Sequence, residues 1–557
     1  MTDDWRSKAA ADIFRVHNVK YLPPTCTDTA VLFCYFNPTN SLKLLENFNA
    51  VKRKLDNAQI PNYAIELCIG EQQAQTRADF VVYSPTALFY KEILWNRLAT
   101  LVPAQYTKLV FIDADVLFLT PDWVDQCSAV LNTADVMQPM RSTRWLGGGY
   151  SASYASKLCD ESRTFEYGHP GFAAGVRRTW LEKIGFPAAV MGSGDGILWD
   201  AIAYSLKKIS ASAVKSYPDF HARVAEKATP DYFELCAATP PKCGVLSEVD
   251  AIHLPHGSLA TRGYSARHNN FTRDDFSNLL HTDDGIPHWP ADSRPADLAA
   301  EYFSRRREDG PAHIVDRVQT ALQFVDSSQI PVYCINLPRA RDRRERMQRE
   351  WDDQRGVPLN FFTAVDKHDI CRHEAATRDG GVLPYSAAEA TRLVGRKLRC
   401  GERACRLSHF LCAQKLLRRY PDAPLYVILE DDVRPMFYSA AEFFRRIICG
   451  FYEQYGVDIL VGQGAILPFE AAVNLRLFGF HFKFNPKKAA WLGTQCLIFS
   501  RAGLEKYCVN LHRSCPTDAW HFYGSETRVC GLINNVAEHI GDTTYLENGG
   551  GTRTMLD

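Results

Sequence analysis

Short apolar runs alternate with amphipathic stretches along the first part of the chain, and this pattern predicts strands that alternate with helices. The apolar runs predict the strands Thr29–Phe36, Tyr63–Ile69 and Lys108–Ile112 and a short extended piece, Asp135–Pro139. The amphipathic stretches predict the helices Ser41–Leu55, Ala87–Leu101 and Asp122–Leu131. This order is typical of βαβ units and a largely parallel sheet.

The same order of elements begins again in the second half of the chain. Its predicted elements are the strands Pro331–Leu337, Leu359–Val365 and Leu425–Leu429 and the helices Arg341–Trp351 and Cys405–Arg419. Between Asp283 and Pro311 the sequence is polar and rich in proline, which is typical of a domain boundary. We therefore predict an α/β protein with two tandem domains, residues 1–285 and 329–557, joined by a linker over residues 286–328.

Composition narrows the class of protein. The 557 residues include 64 basic and 64 acidic side chains, and 46% are hydrophobic, which argues against a polybasic nucleic-acid binder and an acidic disordered chain. The 17 cysteines are scattered without a C-x-x-C pair, which argues against a disulfide framework and favours a reducing compartment. The N-terminus is polar and no run of about 18 apolar residues occurs. We therefore expect a soluble, cytoplasmic protein without a transmembrane segment.

Two acidic triplets carry the main indication of function. Asp113-Ala114-Asp115 and Glu430-Asp431-Asp432 each follow an apolar predicted strand. In open α/β sheets, ligands bind at the carboxyl ends of the strands, and carboxylate oxygens there suit a divalent metal that carries phosphate. The pair of triplets therefore predicts two sites for nucleotide sugars.

In the first triplet, the two carboxylates can divide the work. Asp115 would bind Mn²⁺ or Mg²⁺ directly, and Asp113 would reach the ribose or a metal-bound water or contribute a further ligand. The alternative is that Asp113 caps the following turn and Asp115 is solvated.

Three later segments support the metal interpretation. The predicted strand Ala251-Ile-His253-Leu-Pro-His256 offers a histidine ligand, although a packed core histidine is the alternative. The glycine-rich segment Gly168–Gly175 would allow close approach of a sugar, and Asp195 lies on a flexible turn before a helix. Asp195 is a candidate catalytic carboxylate or, alternatively, an N-cap.

Together, these motifs make the chain resemble a GT-A-type glycosyltransferase from about residue 28 to about residue 270. The matching positions are Tyr90-Lys91-Glu92, Asn96, the D-x-D triplet, the glycine-rich segment, Gly194-Asp195, His253, His256-Gly257, Arg262 and Tyr264. The resemblance implies a Rossmann-like nucleotide-diphospho-sugar transferase fold in which Asp113, Asp115 and His253 or His256 hold manganese with the donor diphosphate.

The second half resembles glycosyltransferase family 25. The motifs that carry this resemblance occur in order: Val332–Arg344, Gly401-Glu402-x-Ala-Cys405-x-Leu-Ser408-His409, Leu429–Asp432, Gly493–Ile498 and Pro516-Thr-Asp518. The family includes bacterial lipooligosaccharide galactosyltransferases and collagen hydroxylysine galactosyltransferases, which implies an inverting enzyme with a UDP-galactose donor.

Roles within this second site follow from the chemistry of the side chains. Asp432 is the predicted metal ligand and Glu430 a ribose partner or further ligand. Asp431 is a neighbour in the donor site or, alternatively, points the other way on the strand. Arg343 and Arg344 would meet the donor phosphates, unless their charged helix face is simply solvated. Glu402, Ser408 and His409 would line the donor pocket. The alternatives are a capping box and a packed histidine.

An inverting transfer also needs a base for the acceptor hydroxyl, and Asp518 is the candidate. The sequence thus predicts a bifunctional hexosyltransferase that moves sugars from nucleotide-sugar donors to a glycan or glycoprotein, with no nucleic-acid partner. The alternative is that one domain is catalytic and the other a degenerate carbohydrate-binding or scaffold domain. A phosphatase or nucleotidyltransferase is disfavoured, since neither triplet is accompanied by a G-x-x-x-x-G-K-S/T phosphate loop.

Overall fold

The computed structural model divides the chain into two compact units, described here one at a time. The N-terminal unit is Val19–Gly310, and the C-terminal unit is Pro311–Asp557 together with Met1–Asn18. The residues described are 16, 19–147, 150–157, 168–208, 229–257, 259–263, 267–310, 312–370, 372, 383, 385–453, 456–462, 472–475, 479–483, 494–514, 527–532 and 537–539.

The N-terminal unit alternates strands and helices along its first half. Its strands are β1 Thr29–Phe36, β2 Asn62–Ile69, β3 Phe80–Ser84, β4 Lys108–Ile112, β5 Val116–Phe118, β6 Val136–Met137, β7 Ser142–Gly147, β8 Tyr150–Ala155, β9 Ala173–Arg177, β10 Cys243–Gly244, β11 Asp250–His253, β12 Leu280–His281 and β13 Pro287–His288. Its helices are α1 Leu42–Asn57, α2 Lys91–Leu101, α3 Trp123–Leu131, α4 Arg178–Ile184, α5 Gly194–Ser205, α6 Tyr232–Ala238, α7 Leu259–Arg262, α8 Arg273–Ser277 and α9 Arg294–Ser304.

A seven-stranded sheet in the order β10-β6-β9-β4-β1-β2-β3 forms the centre of this unit. Strands β3, β2, β1 and β4 run parallel, and β9 is antiparallel to both β4 and β6. All five residues of β4 are buried, as expected for a strand covered on both faces. A second sheet, β5-β11-β7-β8, lies beyond the carboxyl end of β4 and is joined to it by the turn at Asp113–Asp115.

The C-terminal unit has its own sheet and core. Its strands are β14 Val332–Asn336, β15 Asn360–Thr363, β16 Tyr426–Glu430, β17 Val433–Pro435, β18 Ile459–Val461, β19 Ala472–Leu475, β20 Gly479–Lys483, β21 Cys496–Phe499, β22 Val529–Leu532 and β23 Ala537–His539. Its helices are α10 Ala312–Phe324, α11 Arg341–Met347, α12 Ala387–Val394, α13 Cys400–Arg419, α14 Ala440–Tyr452 and α15 Arg501–Leu511, with a 3₁₀ turn at Ser327–Gln329 and a π-helical turn at Gln348–Asp353.

Eight strands form the main sheet here, in the order β15-β14-β16-β21-β18-β22-β20-β19. Strand β14 is parallel to β15 and β16, while β21 is antiparallel to β16 and β18. Trp351 and Phe443 are fully buried and pack edge to face in the core that this sheet shares with α14. Both units are therefore α/β, and the predicted fold class is confirmed.

The observed division lies inside the predicted boundary segment, but the residues on either side of it are packed. Residues 286–328 were expected to form a linker, but α9 packs Ala296 and Ala299 into the core of the N-terminal unit, and α10 packs Ala321 into that of the C-terminal unit. Trp289 is fully buried and stacks on Phe271 at 5.1 Å. The division lies between Gly310 and Pro311, within the predicted linker. The polar composition misled because each helix buries only one narrow apolar face.

Among the residues that the structure describes, every helix is too short or too polar to cross a membrane.

We expect two fragments of the N-terminal unit to differ sharply in stability. Fragment 19–310 should unfold cooperatively, whereas fragment 19–285 loses Trp289 and α9 from its core. Truncation of a single buried tryptophan costs about 3–5 kcal/mol, so loss of the whole segment should cost more than that. Thermal unfolding followed by circular dichroism measures the difference. Equal transition temperatures would show that the segment 286–310 is dispensable.

Candidate functional site

The carboxyl end of β4 places the first acidic triplet in a tight turn. The Asp113 amide donates to the Phe172 carbonyl at 2.8 Å, and the Val116 amide donates to the Asp113 carbonyl at 3.1 Å. This turn ends one strand and begins the short strand β5. Both carboxylates are consequently directed at a cavity rather than at open solvent, and both line it.

Strand pairing brings the two histidines to Asp115. Strand β11 pairs antiparallel with β5, with His253 opposite Val116, and the Leu254 amide donates to the Asp115 carbonyl at 2.7 Å. His256 Nε2 lies 2.8 Å and His253 Nε2 3.4 Å from Asp115 Oδ2. Both histidines are buried. The structure therefore brings together the three residues that the sequence offered as metal ligands.

Glu308 fixes His256 from the side opposite Asp115. Its Oε2 lies 2.7 Å from His256 Nδ1, and its side chain is only 1% exposed. The Gly257 amide donates to the Glu308 carbonyl at 2.8 Å. Gly257 has φ +52°, and a Cβ there would lie 2.6 Å from Glu308 Oε2, so only glycine permits this approach. A carboxylate on Nδ1 leaves Nε2 directed at Asp115.

Arginines surround this carboxylate. Arg306 forms an ion pair with Glu308, and Arg262 Nη2 lies 4.0 Å from its Oε2. Arg262 also donates to the His256 carbonyl at 2.7 Å and lies 5.1 Å from the Trp145 ring centroid. These cations keep Glu308 ionised, as its lowered pKa indicates: burial would raise it, but His256, Arg306 and Arg262 outweigh burial.

Lys91 links the D-x-D turn to the predicted catalytic carboxylate. Its Nζ lies 3.3 Å from Asp113 Oδ1, 3.4 Å from Asp195 Oδ2 and 3.6 Å from Glu92 Oε1. Asp195 occupies the first turn of α5, where Ser193 is the N-cap residue, and its Oδ1 accepts from the Gly196 amide at 2.8 Å. Asp195 lines the cavity, so the structure places it beside Asp113 and not at the cap.

The pKa values of Asp113 and Asp115 are shifted in opposite directions. Burial raises the pKa of Asp113 to about 6, with Asp115 and Asp195 adding to the effect and Lys91 opposing it. Burial would also raise the pKa of Asp115, but His253, His256 and Arg262 hold it well below its usual range. Burial lowers the pKa of His253 to about 3, so this imidazole is neutral at neutral pH. An ionised carboxylate beside a neutral imidazole is the state that a metal ligand set requires.

The cavity in front of these groups has a volume of about 550 Å³. Its lining combines the acidic and histidine cluster with aromatic and basic side chains, among them Phe89, Trp145, Phe172, Arg267 and Arg306. This volume lies within the range of small-molecule sites.

A divalent metal fits the cluster of Asp115, His253 and His256. One ligand atom from each lies within 4.8 Å of the others. Asp115 Oδ1 and His253 Nδ1 are buried without a hydrogen-bond partner among the described residues. Buried polar atoms of this kind are costly unless they gain a partner, and a cation supplies one to the carboxylate. Mixed nitrogen and oxygen donors suit Mn²⁺ better than Mg²⁺, which prefers oxygen alone.

In the C-terminal unit, the second triplet follows β16. Glu430 Oε1 lies 3.1 Å from His409 Nε2 and accepts from the Thr494 hydroxyl at 2.5 Å. His409 is buried and its Nδ1 lies 3.0 Å from the Tyr507 hydroxyl. His409 is therefore packed in the core and directed at the acidic strand end.

Asp431 faces the interior of the unit. Its carboxylate accepts from Asn336 Nδ2 at 2.7 Å and from Arg343 Nη1 at 3.1 Å. Arg343 is thus buried in an ion pair and is absent from the lining of a nearby cavity of about 690 Å³, which includes Arg341 and Arg344. The predicted contact of Arg343 with donor phosphates is replaced by a contact with the triplet, because this face of α11 packs against the end of β16.

Two further predicted donor residues have local structural partners. Glu402 pairs with Arg396 at 2.6 Å and accepts from the Arg399 amide at 2.7 Å, which is the capping interaction left open by the sequence. The Ser408 hydroxyl donates to the Ala404 carbonyl at 2.7 Å and accepts from the Val365 amide at 2.8 Å. Asp518 lies outside the described residues.

Lys91 and Glu308 were given no role by the sequence analysis. Lys91 lies within the Tyr90-Lys91-Glu92 motif, but the sequence does not show that it contacts Asp113 and Asp195. Glu308 lies inside the segment assigned to a linker, directly after Arg305, Arg306 and Arg307.

Comparison with known proteins gives one family match. Residues 329–442 match the model of glycosyltransferase family 25, whose description is LPS biosynthesis protein. A comparison with curated proteins gave no match. The match falls on Asn336, Arg343, His409 and the Glu430 triplet, and it supports the enzyme class that the motifs predicted, a glycosyltransferase.

The chain has only low similarity to solved structures, both in sequence identity and in TM-score. A Drosophila β1,4-galactosyltransferase 7 complex with manganese, UDP-Gal and xylobiose has 12% identity and a TM-score of 0.20, covering 31% of this chain and 60% of that one. A protein described as a nucleotide-diphospho-sugar transferase from Desulfovibrio desulfuricans has 10% identity and a TM-score of 0.21, covering 41% and 83%. The glycosyltransferase GlyE of Streptococcus pneumoniae has 9% identity and a TM-score of 0.18, covering 61% and 74%. These TM-scores are too low to indicate a shared activity.

We expect Glu92 to make the stability of the metal-free N-terminal unit depend on pH. Burial raises its pKa from 4.5 to about 7, with Asp195 adding to the shift and Lys91 opposing it. Because the pKa is raised, the folded state binds this proton at a higher pH than the unfolded state does. The resulting contribution to the free energy of unfolding is present at low pH and is lost as pH rises through about 7.

Glu92→Gln removes this contribution. The free energy of unfolding of wild type relative to the variant should therefore fall by roughly 1–3 kcal/mol from pH 5 to pH 8. Urea unfolding of fragment 19–310 in a chelator at both pH values measures it, with exposed Glu71→Gln as the matched control. Parallel pH profiles for wild type and Glu92→Gln would contradict the assignment.

Proposed function

We propose that the chain is a bifunctional, metal-dependent glycosyltransferase with one nucleotide-sugar site in each unit. The observation that carries the proposal for the N-terminal unit is the meeting of Asp113, Asp115, His253, His256 and Asp195 on one cavity. The family 25 match over residues 329–442 supports the C-terminal site.

In the N-terminal unit, Asp115, His253 and His256 would hold Mn²⁺, or less favourably Mg²⁺. The metal when bound would neutralise the diphosphate of the donor as it leaves. Asp113 lies two residues from Asp115 on the same turn, where it can accept a hydrogen bond from the ribose or from a metal-bound water. Arg267 and Arg306 add positive charge to the cavity wall, which favours an anionic donor.

Asp195 is the proposed catalytic carboxylate of this site. Lys91 holds Asp195 and Asp113 through one ammonium group, at 3.4 and 3.3 Å. The burial cost of the lysine is outweighed by Asp113, Asp195 and Glu92, so its pKa is raised and its charge is kept. Lys91 thereby fixes the distance between the metal-side acid and the acid that acts at the sugar.

In the C-terminal unit, Glu430, Asp431 and Asp432 are the proposed donor and metal residues, and Asp518 is the proposed base. UDP-galactose is the proposed donor because the family resemblance implies it, and a glycan or glycoprotein is the proposed acceptor. Arg341 and Arg344 are better placed than Arg343 to meet donor phosphates, since they line the cavity beside Asn336. A cytoplasmic location remains a proposal from the sequence.

A second candidate function is that only the N-terminal unit is catalytic. Asp431 is held by Asn336 and Arg343, and Glu430 by His409 and Thr494, so two acids of the second triplet already have protein partners. In the N-terminal unit, Asp115 Oδ1 is buried without a hydrogen-bond partner among the described residues, which leaves it available to a metal. The C-terminal unit would then bind sugar nucleotide without transferring sugar.

Substitution of one acid in each triplet separates these two functions. Asp115→Asn should reduce nucleotide release from its UDP-sugar donor by about 100-fold or more. Removal of a direct metal ligand should lower activity more than substitution of a residue that only contacts a ligand. Asp432→Asn should do the same for a second donor if both units are active. A nucleotide-release assay over a panel of UDP-sugars, on each variant and on the double variant, measures both activities.

Exposed acids supply the controls for this experiment. Asp283→Asn and Asp422→Asn should leave both activities unchanged, since both side chains are exposed to solvent. Activity that survives in the double variant would rule out two metal-dependent sites. Loss of all activity in Asp115→Asn alone would favour a single catalytic unit.

Glu308→Gln tests whether the carboxylate on His256 Nδ1 serves the metal. We expect Mn²⁺ affinity to fall by roughly 10- to 100-fold, because outer-shell carboxylates orient histidine ligands and raise their basicity. The Mn²⁺ electron paramagnetic resonance signal of free ion, titrated with protein, measures affinity without any turnover.

Glu301→Gln is the matched control for Glu308→Gln. Glu301 lies in the same segment and pairs with Arg305, but its side chain is 53% exposed. Its substitution should leave Mn²⁺ binding unchanged. Equal affinities for wild type and Glu308→Gln, with the fold retained, would assign Glu308 to structure alone.

A further inference from the structure

A second group of potential metal ligands lies in the C-terminal unit, and it contains sulfur. Cys405, His409 and Glu430 each offer an atom within 4.8 Å of the other two. Cys405 and His409 are four residues apart on α13, so both project from the same face of the helix. Glu430 is the last residue of β16, and α13 packs against that strand.

The hydrogen bonds around this group orient it. The Tyr507 hydroxyl lies 3.0 Å from His409 Nδ1, which leaves Nε2 directed at Glu430, 3.1 Å from its Oε1. Thr494 donates to the same oxygen at 2.5 Å and fixes the carboxylate. Partners on the remote nitrogen of a histidine and on a carboxylate are the usual outer shell of a metal site.

Burial also favours a bound cation. The His409 side chain is 1% exposed and that of Glu430 is 22% exposed, while Cys405 is partly exposed. The group is therefore covered on the histidine side and open on the other side. An ion can enter without unfolding the unit, and a water or substrate atom can occupy a remaining coordination position.

We propose that Cys405, His409 and Glu430 form a binding site for a thiophilic divalent cation of the Zn²⁺ class. Zn–S and Zn–N bonds of about 2.3 and 2.0 Å place ligand atoms less than about 4 Å apart, so small side-chain rotations close the site. Thiolate, imidazole and carboxylate together select Zn²⁺ over Mn²⁺ or Mg²⁺. Glu430 also belongs to the proposed donor site, but metal binding by this group is measured without turnover, so the two proposals are tested separately.

The donor atoms distinguish this site from the cluster in the N-terminal unit. Asp115, His253 and His256 contain no sulfur. A sulfur-specific measurement therefore reports the second site even when the first is filled. This difference determines the design of both experiments below.

Protection of the thiol tests the wild-type protein directly. Zn²⁺ should slow alkylation of Cys405 by iodoacetamide about tenfold at about ten times the Kd, since the thiol is then free for about a tenth of the time. Cys400 is exposed on the same helix and provides an internal control whose rate should not change. Peptide mapping by mass spectrometry separates the two cysteines. Equal rates for Cys405 with and without Zn²⁺ would overturn the proposal.

Cobalt spectroscopy tests the ligand identity. Co²⁺ should give a near-ultraviolet sulfur-to-cobalt charge-transfer band in wild type, in Cys400→Ser and in Asp115→Asn, and no band in Cys405→Ser. Tyr507→Phe should keep the band but weaken Co²⁺ binding by roughly 10- to 100-fold. A band that survives in Cys405→Ser, or no band in wild type, would exclude thiolate coordination and leave a simple histidine–carboxylate ion pair.

Discussion

The antiparallel pairing of β11 with β5 is the contact on which the N-terminal site depends. It sets His253 opposite Val116 and lets the Leu254 amide bond to the Asp115 carbonyl. Because strand register is fixed in steps of one residue, a slip would turn His253 to the other face of the sheet. Asp115, His253 and His256 meet only in this register, and Glu308 then completes the cluster by bonding His256 from behind.

The two acidic strand ends have become chemically different sites. At the first, imidazoles and arginines keep Asp115 ionised while burial and neighbouring acids raise the pKa of Asp113 to about 6. At the second, Asp431 is neutralised by Arg343, and Glu430 contacts a histidine on a helix that also carries a cysteine. Similar topology thus supports hard ligands in one unit and a mixed, softer set in the other.

Strands were predicted well where burial on both faces makes them continuously apolar. Strands β1 and β4 begin and end as predicted, and α1 begins at Leu42, one residue after its predicted start at Ser41. Strand β7 was missed because its sequence, Ser-Thr-Arg-Trp-Leu-Gly, does not alternate between apolar and polar residues. The prediction that residues 286–328 form a linker was wrong for a different reason. Helices α9 and α10 expose polar faces, and only their packing shows that each belongs to a core.

The sequence by itself determined the α/β class, the two acidic strand ends and most of the first cluster, because apolar runs and carboxylates are local properties of the chain. Tertiary structure decided which polar groups meet. Lys91 contacts both Asp113 and Asp195, the latter 104 residues further along the chain, and Glu308 reaches His256 from a segment that resembles a loop. Arg343 likewise turned inward to Asp431. Such contacts follow from strand register and helix packing, which bring distant residues together and leave no periodic signal in the sequence.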